Sequence, residues 1–204
     1  DMLETNWQRL ILTHLEEKAH LGVLTGSPIT DIKIPLVAGR AHLKHTEGGD
    51  FRQATYRAIR NALMHADSLL LEPIAGFSLR APADMYGSLA GALNRLQAEV
   101  ELPEYEDDMV ILRGEAPYAI FAPWQEEFLS LTHGRGALRV WMSRYAPARD
   151  QSAIVEASGY NPLADDTPDS VFCSHGAGIY VGWEHVREWA HCGEEAELAL
   201  SRLR

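Results

Sequence analysis

The chain has 204 residues, a formal net charge of −11, and 46% apolar against 23% charged residues, a composition that can bury a core and excludes a disordered chain. An acidic total argues, taken alone, against a protein that coats nucleic acid. Two cysteines make no disulfide framework, no apolar run reaches the roughly 18 residues of a membrane span, and no charged-then-apolar leader opens the chain, so a cytoplasmic location is expected.

In chain order, Trp7, Leu10, Ile11, His14, Leu15 and Lys18 recur at helical spacing and predict an amphipathic helix over Thr5–His20, ended by Gly22 and a Gly26-Ser27-Pro28 turn. Ile29–Val37 runs apolar and reads as a strand, on an edge because Pro35 cannot donate to a ladder. Asp50 is the expected N-cap of a second helix. Its apolar stripe is Phe51, Ala54, Ala58, Ile59, Ala62 and Leu63; its other face carries Arg52, Tyr56, Arg57 and Arg60, so guanidinium groups are expected to face water or a partner.

The charge is unevenly spread. Lys33–His65 holds six basic residues against two acidic ones, whereas Asp150 to the end holds ten acidic residues and three arginines. A basic patch within an acidic molecule suits docking of RNA at one place.

After a seam at Leu69–Pro73 the pattern changes. A strand is expected at Ile74–Ala81, a helix at Ala83–Gln97, a hairpin of Glu99–Tyr105 with Met109–Glu115, a helix at Tyr118–Leu131 and a last strand at Gly136–Tyr145. That βαββαβ order is the split arrangement of a ferredoxin-like fold, so the fold class is α+β, with a partial α/β domain before the sheet and an irregular, partly helical tail after it. The tail is turn-rich around Asn161-Pro162 and Thr167-Pro168, then helical over Trp183–His191 and Glu194–Leu203. The expected organisation is 1–68, 69–147 and a C-terminal extension over 148–204.

No Gly-x-x-x-x-Gly-Lys-Ser/Thr loop, His-Glu-x-x-His helix or Gly-x-Ser-x-Gly elbow occurs in these residues, so no catalytic centre is expected in them. Cys173, His175, His191 and Cys192 are donors of the types zinc selects, but their spacing fits no common zinc pattern and no metal is expected.

Gly26-Ser27-Pro28-Ile29-Thr30-Asp31-Ile32-Lys33, the Gly39–Phe51 segment, Leu70-Leu71-Glu72-Pro73-Ile74, Gly91-Ala92-Leu93-Asn94-Arg95 and Leu131-Thr132-His133-Gly134-Arg135-Gly136 stand in one order. In order and spacing they resemble the last two domains of elongation factor G, and equally of the tetracycline ribosomal-protection proteins built on the same plan. The resemblance covers roughly residues 5 to 145.

It implies a piece of a multidomain GTPase that binds between the ribosomal subunits, a view that the opening Asp1-Met2-Leu3 also suggests. GTP and Mg would then belong to a G domain outside these residues, and the chain itself would carry no cofactor. By the same resemblance Arg40, His42, Leu43, Lys44, His45, Thr46, Gly48 and Gly49 form a tip loop that enters the 16S rRNA decoding centre, backed by Arg52, Arg57 and Arg60. His133 and Arg135 would look toward the stalk base of the large subunit, and neither DNA nor a membrane is an expected partner.

For the tip, cations to neutralise phosphates and imidazoles to stack on or hydrogen-bond to an unpaired base are the chemistry of single-stranded RNA recognition. Glycines and a helix N-terminus behind it would let a phosphate approach. His42 favours a translocase of the elongation factor G type; the long tail resembles the extension of a protection-type factor. A stand-alone ferredoxin-like module that oligomerises or binds an effector is the reading from a different class.

Overall fold

The computed structural model describes residues 3–41, 46–164 and 168–190, together with Leu198 and Ser201. The chain divides into two compact units, residues 1–68 with 152–204, and residues 69–151. The stretch expected to follow as a separate extension thus clusters, from Ser152 onward, with the first 68 residues.

In the first unit, α1 (Thr5–Glu16) packs against α2 (Gly48–His65). Trp7 stacks on Phe51 with ring centroids 4.5 Å apart, and Phe51, Thr55, Ile59 and Leu63 are buried along one stripe of α2. The first helix stops four residues short of its expected end. The ring of His20 lies 2.9 Å from the Leu15 carbonyl and occupies an acceptor that a continuing helix would use. A tight turn follows, closed by the Gly22 N–H donating to the Ser27 carbonyl at 2.7 Å, with Gly26 at φ 70°.

The strand expected at Ile29–Val37 does not form. One isolated bridge joins Leu21 to Pro28, and from Ile32 to Ala41 the backbone enters no ladder. Ile32, Ile34 and Leu36 are exposed. The alternation is present, but a strand exists only against a neighbour, and none of the described residues supplies one.

The second unit is the ferredoxin-like domain. Its elements are β1 (Leu71–Pro82), a single 3-10 turn, α3 (Tyr86–Arg95), β2 (Glu99–Val100), β3 (Glu104–Glu106), β4 (Met109–Pro117), α4 (Tyr118–Leu131) and β5 (Ala137–Pro147). The sheet runs β2-β4-β1-β5 with every neighbouring pair antiparallel, and β3 also pairs with β4. Alternation along β1 sends Ala75, Phe77, Leu79 and Ala81 to the face covered by α3 and α4. There Leu89, Leu93, Val110, Leu112, Phe121, Trp124 and Phe128 complete the core.

The edge strand expected over Glu99–Tyr105 is broken in two. Glu99 faces Glu115, but Glu104 faces Ile111, so one extra residue is accommodated around Leu102-Pro103. Pro103 has no N–H to give, and a bulge at a sheet edge also discourages pairing with another chain.

Beyond β5 come α5 (Gln151–Ser158), the hairpin β6 (Ser170–Ser174) with β7 (Ala177–Val181), a 3-10 turn over Trp183–His185 and α6 (Val186–Trp189). His175 and Gly176, at φ 51° and 81°, form the two-residue hairpin turn whose backbone favours glycine at such angles. The helix expected over Trp183–His191 is therefore a 3-10 turn and one short helix. Of the helix expected over Glu194–Leu203, Leu198 and Ser201 are helical and the rest lies outside the described residues.

Candidate functional site

His42, Leu43, Lys44 and His45, the centre of the expected tip, lie outside the described residues. Arg40 on one side of them is exposed. On the other side the chain enters α2 three residues earlier than expected: Glu47, not Asp50, is the N-cap, and Asp50 is the third helical residue. The two acids form a reciprocal capping box, in which the Glu47 N–H donates to the Asp50 carboxylate at 2.9 Å. Two carboxylates of the chain thus stand at the helix start expected to be open to a phosphate.

Gly48 and Gly49 are correspondingly the first two helical residues rather than a turn, and neither has a positive φ. A Cβ on Gly49 would meet nothing within 4 Å. Glycine costs a helix roughly 0.5–1 kcal/mol relative to alanine. Gly49→Ala is accordingly expected to stabilise the first unit by about that much, read as slower hydrogen exchange of the α2 amides. Unchanged or faster exchange would contradict a regular helical start at this residue.

The three supporting arginines do not form an open cationic face. Arg52 is exposed, but its Nε donates to the Glu17 carboxylate at 3.0 Å. Glu17 also accepts from the Tyr56 hydroxyl and lies 3.0 Å from His14 Nδ1, so one carboxylate clasps α1 to α2. The Tyr56 hydrogen bond, with His14 and Arg52 assisting, holds the Glu17 carboxyl below its ordinary value.

Arg57 donates to the Asp169 carbonyl at 3.2 Å. Arg60 is 2% exposed, with Nη1 donating to the Leu21 carbonyl at 2.8 Å and Nη2 to the Tyr160 hydroxyl at 2.9 Å and the Pro162 carbonyl at 2.8 Å. Asn61 Nδ2 donates to the Trp183 carbonyl at 2.9 Å, and the His65 ring meets the Trp183 indole edge-on at 5.0 Å. Of the face expected to present guanidinium groups, Arg57 and Arg60 seat the C-terminal extension, while Arg52 stays exposed beside Glu17. Positions 57, 60, 61 and 65 fall on one side of a helix, so the stripe was readable; its occupant, about a hundred residues away, was not.

In the second unit His133 and Arg135 are exposed on a closely built loop. After α4 the Gly134 N–H donates to the Leu129 carbonyl at 3.0 Å and the His133 N–H to the Ser130 carbonyl at 3.1 Å, closing the helix with His133 at φ 49° and Gly134 at φ 71°. Thr132 is fully buried and its hydroxyl donates to the Phe128 carbonyl at 2.9 Å. The loop therefore holds two basic-type side chains in water on a fixed backbone.

Cys173, on β6, is exposed as a free thiol, and His175 is in the hairpin turn. Among the described residues no three metal-ligating side chains converge, and His191 and Cys192 lie outside them. Also among the described residues, no helix is long and apolar enough to cross a membrane.

Two family models match the chain. Residues 2–67 match elongation factor G, domain IV, and residues 69–167 match the elongation factor G C-terminus. A crystal structure of a protein from Thermus thermophilus is similar at 25% identity over 77% of this chain, with a TM-score of 0.71. The chain spans 24% of the length of that structure.

Proposed function

We propose, for a chain that carries an elongation factor G domain IV followed by an elongation factor G C-terminal domain, that it is the ribosome-docking part of a translation factor. The observation that carries this reading is the consecutive match of both domains, in that order, to residues 2–67 and 69–167. Arg40, His42, Leu43, Lys44, His45 and Thr46 contact rRNA in the decoding centre of the small subunit, and His133 with Arg135 faces the large subunit. Lysine and arginine neutralise phosphates, and the imidazoles stack on unpaired bases. GTP and Mg are handled by a G domain outside these residues, so the chain's own contribution is binding and positioning.

The role we propose is ribosomal protection against tetracycline. It is supported by the extension, which is built into the tip-bearing unit instead of trailing from it. Translocation is the second reading, favoured by His42 in the tip.

The test is co-sedimentation of the chain with ribosomes, alone and with His42→Ala combined with Lys44→Ala. A stacking contact and a phosphate contact together predict affinity lower by on the order of tenfold or more, with a shallower salt dependence. Equal binding of the double variant at every salt concentration would remove the tip from the interface. Joined to a ribosome-dependent GTPase domain, the chain is expected to restore translation in a tetracycline-inhibited extract. Restoration without the drug, in an extract lacking its own translocase, would favour the second reading instead.

A further inference from the structure

The extension's contacts with α2 bear on the first unit itself. Phe51, Thr55, Ile59 and Leu63 are buried along one stripe of α2, and α1 packs on it where Trp7 stacks on Phe51. Arg57 and Asn61 lie on the far side of the helix from that stripe and Arg60 and His65 border it, because residues of a helix advance by about 100° each. The extension binds all four. Arg60 is the node: it joins α2 to the Leu21 carbonyl of the preceding turn and to Tyr160 and Pro162 of the extension. Tyr160 in turn lies against that same turn, where a Cβ on Gly26 would stand 2.7 Å from its ring. Asp169 closes the far end, its carboxylate accepting from the Trp183 N–H at 3.0 Å while its carbonyl accepts from Arg57.

We infer that residues 152–164 and 168–190 form a strap that holds α2 outside its contact with α1, and that Arg60 is the positioning residue through which the strap sets where α2 begins, at Gly48. The helix begins at Gly48, directly after the loop, so a shift of α2 along or about its axis moves the loop's C-terminal anchor by the same amount. A helix held on one side can slide or roll on its partner. One held on both sides by hydrogen bonds of fixed direction cannot. The strap therefore fixes the point at which α2 begins. This inference is independent of what the tip binds.

The experiment uses the full chain and three variants, Arg60→Gln, Arg60→Lys and Asn61→Ala. Two quantities are read: hydrogen exchange of the strap amides, Trp183 among them, and the rate of limited tryptic cleavage at Arg40 and Lys44 in the native protein. Arg60→Gln is expected to speed exchange in the strap at least tenfold and cleavage at the tip several-fold, with β1 and β4 amides exchanging as before. Arg60→Lys keeps the charge but not the fork of donors, and is expected to fall between Gln and the wild type. Asn61→Ala removes one bond to the Trp183 carbonyl, so it reads the strap even if Arg60→Gln unfolds the unit. Wild-type strap exchange in Asn61→Ala and Arg60→Lys would overturn the inference. So would a loosened strap with unchanged tip cleavage, because the strap would then stabilise without positioning.

Discussion

Phe121→Ala is expected to destabilise the second unit by about 3–5 kcal/mol, the range for removing a fully buried phenyl ring from a core that cannot collapse around the void. Phe121 is completely buried on α4 and stacks on Phe77 of the central strand with ring centroids 4.8 Å apart and planes at 17°. Trp124, one turn on, meets it at 5.4 Å. Truncation would strip the contact that holds α4 to β1 and leave a cavity walled by two other large rings, which rotamer changes cannot fill. A unit of about 80 residues has a total stability of roughly 4–12 kcal/mol, so this one change removes a large share of it. The neighbouring Ile120 is 44% exposed, and its replacement by Ala should cost less than about 1 kcal/mol. Urea denaturation of both variants, followed by far-ultraviolet circular dichroism, gives the comparison. A Phe121→Ala cost near that of Ile120→Ala would mean that α4 is not anchored as described.

The second unit was largely legible in the sequence because its elements are punctuated locally. Pro117 and the Thr132-His133-Gly134 run bound α4, which spans Tyr118–Leu131 as its spacing predicts. The first strand is longer than expected, Leu71–Pro82, because Glu72 and Pro73 look like a linker but pair with Ala146 and Tyr145. The first unit was less legible, and for physical reasons. Ile29–Val37 carries a strand's side-chain pattern, and the pattern cannot state whether a neighbouring strand exists. Two glycines hid the first turn of α2, although Glu47 three residues before Asp50 is the spacing of a capping box.

Among the arginines of α2, Arg60 departs furthest from the expectation that they face water or a partner, being buried within the first unit. Charge at helical spacing states which side a guanidinium leaves from; whether it meets water, RNA or a carbonyl is decided by chain far away in sequence. Arg60 ends inside because Leu21, Tyr160 and Pro162 offer three oxygens of fixed position, matching the fork of donors that arginine presents and lysine lacks. A basic helix face beside a long, acidic, turn-rich extension is therefore an ambiguous signal: it marks a docking surface, and the extension itself competes to be the ligand.

Gly136→Ala should be the second severe substitution, at about 2–3 kcal/mol, and it bears on function as well as stability. A Cβ there would stand 2.5 Å from Phe128 Cζ and 2.8 Å from Thr132 Cγ2. Both neighbours are fully buried, and Thr132 is tied by its hydroxyl to the Phe128 carbonyl, so neither can yield cheaply. The strain is relieved only by moving the backbone between Thr132 and Ala137, which carries His133 and Arg135. A lower denaturation midpoint should therefore come with weaker ribosome binding if this loop contributes to the interface. His133→Gly separates the two effects. At φ 49° histidine occupies a conformation that glycine adopts without steric cost, so this variant should be at least as stable as the wild type while lacking the imidazole. Binding lost in both variants assigns the loop to the interface. Binding lost only in Gly136→Ala assigns the effect to the displaced backbone or to Arg135, and binding kept in both excludes the loop.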